Sequence, residues 1–298
     1  MSRITFALAT VLSLAFTPLA SQETNCDGWM ASDWEVAEQF WAAVTLETVS
    51  DCLNSGAAVN ARDEYGVTSL HFAAAFSDNP DVLTVLLDAG AAVNARNKYG
   101  HTPLHFAAAS ADNPNVLTVL LDAGADVNAR DKDGNTPLRV AAEESANPDV
   151  LPVLLDAGAD VNARDKDGNT SLHFAAKESA NPEVLTVLLD AGADVNARNE
   201  RGVTSLHFAA ALADNPNVLT VLLDAGADVN IRAEDEYTPL HGAAEHNENP
   251  EIITILLDAD ADGTAVDGDE NTPFDLAKDN EALAGTDAYW ALNDARFE

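Results

Sequence analysis

The sequence predicts an all-α fold: a solenoid of stacked helix-turn-helix modules closed at each end by a capping unit. Three observations carry this expectation. First, a tetrapeptide recurs every 34 residues. It reads Thr68-Ser69-Leu70-His71, Thr102-Pro103-Leu104-His105, Thr136-Pro137-Leu138-Arg139, Thr170-Ser171-Leu172-His173, Thr204-Ser205-Leu206-His207 and Thr238-Pro239-Leu240-His241, then a divergent Thr272-Pro273-Phe274-Asp275. Second, the turn, cap and apolar signals of two short helices follow in one fixed order within each unit. Third, both ends keep a helical pattern but lose the motif, as end units must when one face meets water.

Taken in chain order, the first element is a leader. Arg3 is followed by an uncharged 13-residue run, Ile4 to Phe16, with small residues at Ala20 and Ser21. That run is too short to span a bilayer and has the length of a signal-peptide apolar region, so residues 1–20 read as a signal peptide. Pro18 fits a cut after Ala20 imperfectly. Residues 21–60 read as a linker and a capping helix pair carrying Trp34, Phe40, Trp41 and Leu46.

Residues 61–266 hold six modules. Asp131 to Gly134 is a turn, with glycine available for positive φ. Thr136 then stands at an N-cap and Pro137 at the first helical position, where its missing N–H costs nothing. Leu138 and the Ala141-Ala142 pair give a short helix able to pack closely. Asn147-Pro148 caps and opens the second helix, whose apolar stripe in a regular copy is Val82, Val85 and Leu86. Ala89-Gly90 ends it, and Val93 to Arg96 leads out extended. Two modules depart from this pattern. Pro152 stands inside the third module's second helix, where it removes a backbone hydrogen bond and should bend the first turn. Glu236 replaces the turn glycine of the sixth, predicting a different turn conformation. Residues 267–298 form the C-terminal cap, with Leu276, Tyr289, Trp290 and Leu292 among Lys278, Asp279, Glu281 and Arg296.

The string Gly134-x-Thr136-Pro137-Leu138, continued by Leu154-Leu155-x-Ala157-Gly158-Ala159-Asp160-Val161-Asn162-Ala163, resembles the ankyrin repeat. The resemblance implies protein binding through a groove lined by turn tips and first helices, without catalysis and without a cofactor. It also implies that the motif histidine holds its turn by hydrogen bonding. The unit here is 34 residues rather than the family's usual 33, with the extra residue between the helices, at Asp78-Asn79-Pro80 for example. A slightly longer tip is expected there.

Charge narrows the partners. Lys plus Arg number 15 against 50 Asp plus Glu, a formal net charge of −35. Such a surface repels nucleic-acid phosphates and anionic membranes and suits a basic protein, a cationic ligand or divalent ions. Mutual repulsion also predicts a monomer. Cys26 and Cys52 are the only cysteines. In an oxidising compartment such a pair most simply forms one disulfide, which would stabilise the chain by roughly 3–4 kcal/mol; two buried thiols are the alternative. Leader and cysteines together predict a periplasmic or secreted protein.

Several patterns resemble chemical sites. His71, His105, His173, His207 and His241 form a ladder, but stacked modules hold neighbouring rungs about 8–10 Å apart, too far to share a zinc ion. His241, Glu245 and His246 match neither orientation of a zinc-protease motif. Asp131 to Asn135 and Asp165 to Asn169 look like part of a calcium loop, yet Ala129, Val140, Ala163 and Phe174 stand where further ligands would be needed. Arg62, Arg96, Arg130, Arg164, Arg198 and Arg232 form a second ladder, expected to pair with turn acids such as Asp63, Asp131 and Asp165. No metal-binding or catalytic residues are therefore expected.

Recognition is expected where near-identical modules differ on their outward side. One cluster is Tyr65, Val67, Lys98, Tyr99 and His101 on adjacent turn tips; a second is Arg201, Val203, Leu212 and Tyr237. Exposed aromatic residues of this kind dominate interface energetics. The functional expectation is a protein-binding module that favours a basic partner. An acidic protective protein without a fixed partner, or a secreted effector, is the alternative.

Overall fold

The computed structural model describes residues 26, 28–30, 33–110, 113–144, 147–178 and 181–297. The predicted leader, residues 1–20, lies outside the described residues. Sixteen α-helices and no strand occur among those described. The N-terminal cap comprises α1 (Trp34–Ala43) and α2 (Leu46–Asn54). Six helix pairs follow: α3 (Ser69–Phe76) with α4 (Pro80–Asp88), α5 (Pro103–Ser110) with α6 (Asn115–Asp122), and α7 (Pro137–Glu144) with α8 (Val150–Asp156). Next come α9 (Ser171–Glu178) with α10 (Pro182–Asp190), α11 (Ser205–Leu212) with α12 (Asn217–Asp224), and α13 (Pro239–His246) with α14 (Pro250–Asp258). The C-terminal end is α15 (Pro273–Ala277) and α16 (Asp287–Ala295). Odd-numbered helices pack on one another in one row and even-numbered helices in a second, so the fold is a two-layer stack.

The first helices are short because they pack in depth, not length. Their alanine pairs, from Ala73-Ala74 to Ala243-Ala244, are buried and let backbones approach closely, while Leu70, Leu104, Leu138, Leu172, Leu206 and Leu240 fill the space between modules. Each such leucine contributes about 1.5–3 kcal/mol on burial. The second helices bury Val82, Leu83 and Leu86 and their equivalents. The expected stripe is thus shifted: Leu83 is fully buried and Val85 only half-buried, because the stripe faces both the first helix and the next module. Asn79, Asn181 and Asn249 cap these helices, each accepting from the amide two residues on.

The backbone keeps its register where the sequence does not. Glycines end the second helices at φ near 88°, as at Gly90, and Asp260 holds the same place with φ 63°. The glycine-free sixth turn does adopt its own conformation: Glu234–Glu236 forms a short 3₁₀ turn, with Asp235 and Glu236 both at positive φ. Pro152 costs less than expected. It falls in the first turn of α8, which starts at Val150, one residue later than the equivalents of α6 and α12. There it lacks only the amide bond that Thr118 and Thr220 make to Pro114 and Pro216 at 3.3 Å.

Cys26 and Cys52 are joined by a disulfide, tying the segment before α1 to α2. Beside it Trp29 packs on the fully buried Trp41, with ring centroids 5.3 Å apart. Among the described residues no helix is long and apolar enough to cross a membrane.

Candidate interaction surface

Three ladders of polar side chains run through the stack; those of histidine and arginine tie the first helices and turn tips of successive modules together. Each motif histidine is the third residue of its helix. Nδ1 of His71 accepts from the Thr68 amide at 3.1 Å, and Nε2 donates to the His101 carbonyl of the next module at 3.1 Å. His105, His173, His207 and His241 repeat both contacts. Burial disfavours the imidazolium, lowering His71, His105 and His207 to about 4 and lowering His173 and His241 as well. A neutral ring with Nε2 as donor is the tautomer this geometry requires. Arg139 takes the rung between them differently: its guanidinium pairs with Glu143 at 2.6 Å and lies 3.9 Å over the Phe174 ring.

Only the last rung of the arginine ladder pairs with a turn acid as expected, Arg232 with Glu236 at 2.7 Å; the other five are held by backbone carbonyls. Nη1 of Arg62 donates to the Gly66 carbonyl at 3.1 Å and to the Arg96 carbonyl of the next module at 2.7 Å. Arg96, Arg130 and Arg164 repeat this, and Arg198 reaches the Arg232 carbonyl. The turn acids are already committed to backbone: Asp63 Oδ1 accepts from the Tyr65 and Val67 amides, both at 2.8 Å. A third ladder was not foreseen. Asn60, Asn94, Asn128, Asn162, Asn196 and Asn230 each donate to a helix-end carbonyl of the next module and accept an amide there. The Val-Asn-Ala-Arg string held this signal, but only stacking reveals its partner.

The calcium-like turns are closed by the same chemistry. Asp131 accepts from the amides of Asp133 and Asn135, the Asn135 side chain and His101 Nε2. Burial acts to raise the Asp131 carboxyl, but these bonds outweigh it and hold it well below the usual carboxylate range. His241 is occupied by its ladder contacts, while Glu245 accepts from the Tyr237 hydroxyl at 2.6 Å. Among the described residues no three His, Cys, Asp or Glu side chains are grouped to hold a metal ion.

The structure separates the expected recognition residues. Tyr65 and Tyr99 are 46% and 47% exposed on successive turn tips, joined where the Lys98 amide donates to the Tyr65 carbonyl. Lys98 is also exposed. Val67 is a correction: it is buried under its turn and offers no surface, because its amide is drawn inward to Asp63. His101 is half-buried, with Nε2 3.0 Å from Asp131. In the second cluster Leu212 is 47% exposed and Arg201 exposed, whereas Val203 and Tyr237 are half-buried. Burial and the neighbouring Glu245 carboxylate push the Tyr237 hydroxyl up.

Sequence reasoning missed the residue that completes the first cluster. Trp34, read from the sequence only as part of the capping helix pair, is 40% exposed and leans out of the cap onto Phe72, Phe76 and Phe106, at 5.5, 5.1 and 6.1 Å. Ring neighbours then continue from Phe106 through His101 to Tyr99, at 6.3 and 6.1 Å. An unbroken aromatic strip thus connects the cap helix to the second turn tip.

A family model describing ankyrin repeats in three copies matches residues 40–131, 108–199, 172–267 and 206–284. No curated protein matches the chain. The family matches overlap without a gap across the modules that carry the ladders, so this chain belongs to the ankyrin-repeat family.

Proposed function

We propose that this array is an exported interaction module, acting in the periplasm or the secreted space, which holds a protein partner along its first helices and turn tips. Ankyrin repeats are protein-binding modules in general. One observation carries the finer reading: Trp34, Tyr65 and Tyr99 stand 40–47% exposed at the N-terminal end of the array. Lys98 and His101 border this primary contact region. Leu212 and Arg201, flanked by Val203 and Tyr237, form a second, smaller one. The Cys26–Cys52 disulfide supports an oxidising compartment.

The test places a photo-crosslinking residue at position 65, 99 or 212, or on the opposite side at Asp122, in the native host. Discrete adducts from positions 65 and 99, absent from 122, are expected. Adducts from 122 alone would move the interface to the other layer and remove this reading.

A further inference from the structure

We infer that the partner presents an extended Lys- or Arg-rich segment, seated with its cations on the aromatic strip from Trp34 to Tyr99 and on the neighbouring Tyr65; this rests on the groove reading above and specifies its ligand. Three observations converge on a cation.

The first is the field. A chain of formal charge −35 repels a second copy of itself and any acidic segment, while a basic one gains in both encounter rate and affinity. Exposed carboxylates adjoin the rings in sequence, Glu35 next to Trp34 and Glu64 next to Tyr65.

The second is what the chain does with its own cations. Arg139 lies 3.9 Å over Phe174, Arg296 4.2 Å over Phe274, and Lys278 5.1 Å over that same ring. Phe174 is the counterpart, two modules on, of Phe106 in the aromatic strip. Where the ladder supplies an arginine, a guanidinium covers the groove ring. At the N-terminal end the ladder supplies neutral His71, whose ring meets Phe106 edge-on at 5.1 Å. The His71 rung thus supplies no cation to that ring, and exposed Lys98, next to Tyr99 in sequence, lies over none of the strip's rings.

The third is availability. Arg62 and Arg96, the nearest ladder arginines, are held on backbone carbonyls. Among the described residues, no Lys or Arg lies over Trp34, Tyr65 or Tyr99. Aromatic faces without an internal cation, on a strongly acidic chain, attract Lys and Arg side chains. Cap to second module is two steps of about 10 Å each, which about six to nine extended residues would span.

The probe is a nonapeptide alternating Arg and Gly, titrated at 0.15 M salt against a Trp290→Phe protein. Trp34 is then the exposed indole reporting through its fluorescence. Controls replace Arg by neutral, nearly isosteric citrulline or by Glu. The Arg peptide is expected to shift Trp34 emission and to bind at least tenfold tighter than the citrulline peptide. Tyr65→Ala with Tyr99→Ala should weaken it at least tenfold, and Asp122→Asn with Asp156→Asn, on the second-helix side, less than twofold. The two tyrosines are exposed at turn tips, and unchanged melting confirms that their removal leaves the fold intact.

Equal binding of the citrulline or Glu peptide, still lost with the tyrosines, would overturn the cationic ligand while leaving the groove in place. Arg-peptide binding indifferent to the tyrosines and abolished by the aspartate pair would overturn both. Absence of Arg-peptide binding would overturn the cationic ligand.

Discussion

Five histidines hold their modules by being neutral, and this makes stability depend on pH in a definite direction. An unfolded histidine titrates near 6.5, while in the folded chain burial holds His71, His105 and His207 at about 4. Between those values the unfolded chain binds more protons, so the stabilisation is complete above about pH 6.5 and lost as pH falls towards 4. Urea unfolding at pH 7.0 and pH 5.0 should show a lower midpoint at pH 5.0, before carboxylate protonation relieves the chain's self-repulsion. An unchanged or higher midpoint would contradict the ladder. The asparagine rungs can be tested singly. Asn128→Ala leaves the Gly158 carbonyl and the Asp160 amide without their partner, and should cost about 1–2 kcal/mol in chemical denaturation. The sequence made half of these contacts legible. A threonine three residues before a histidine announces the cap, but the carbonyl thirty residues on belongs to a neighbour that only stacking supplies. For the same reason five of the six arginines looked like partners of adjacent acids and proved to be partners of the next module's backbone, while Arg232 keeps its acid, Glu236.

Helix ends and turns were the most legible elements, because Asn-Pro and Ala-Gly each have one local physical reason to stand where they do. Their glycines nevertheless differ in what they do. Gly124 ends α6 at φ 87° with nothing near a Cβ, so Gly124→Ala should cost only backbone strain, about 1 kcal/mol. Gly100 has φ 89°, and an added Cβ would lie 2.9 Å from the Lys132 amide nitrogen of the next turn. Gly100→Ala should therefore be clearly the more damaging in thermal melts; equal losses would mean that the turns do not abut. Glu270, at φ 65°, is the reverse case, and Glu270→Gly should stabilise by about 1 kcal/mol. Pro152 was legible as an anomaly but not in its outcome. A helix can yield one residue at its start more cheaply than it can bend, and spacing alone does not say where that start lies.

Across the whole molecule the sequence disclosed the stack but only part of its binding face. Tyr65 and Tyr99 stood out because otherwise similar modules differ there. Val67 was misjudged because a turn residue beside an exposed tyrosine can still point into the core. Trp34 was missed because an aromatic residue in a cap helix normally packs inside its own unit, whereas this one reaches Phe106 of the second module.

The account rests on modules that are interchangeable layers, each covering its neighbour's apolar side. Removing residues 170–203, one whole period, and measuring the product by small-angle scattering with circular dichroism tests this most directly. The account predicts a folded protein of unchanged helicity per residue whose longest dimension is shorter by about one 10 Å layer. Loss of helicity, or a folded particle of undiminished length, would contradict it.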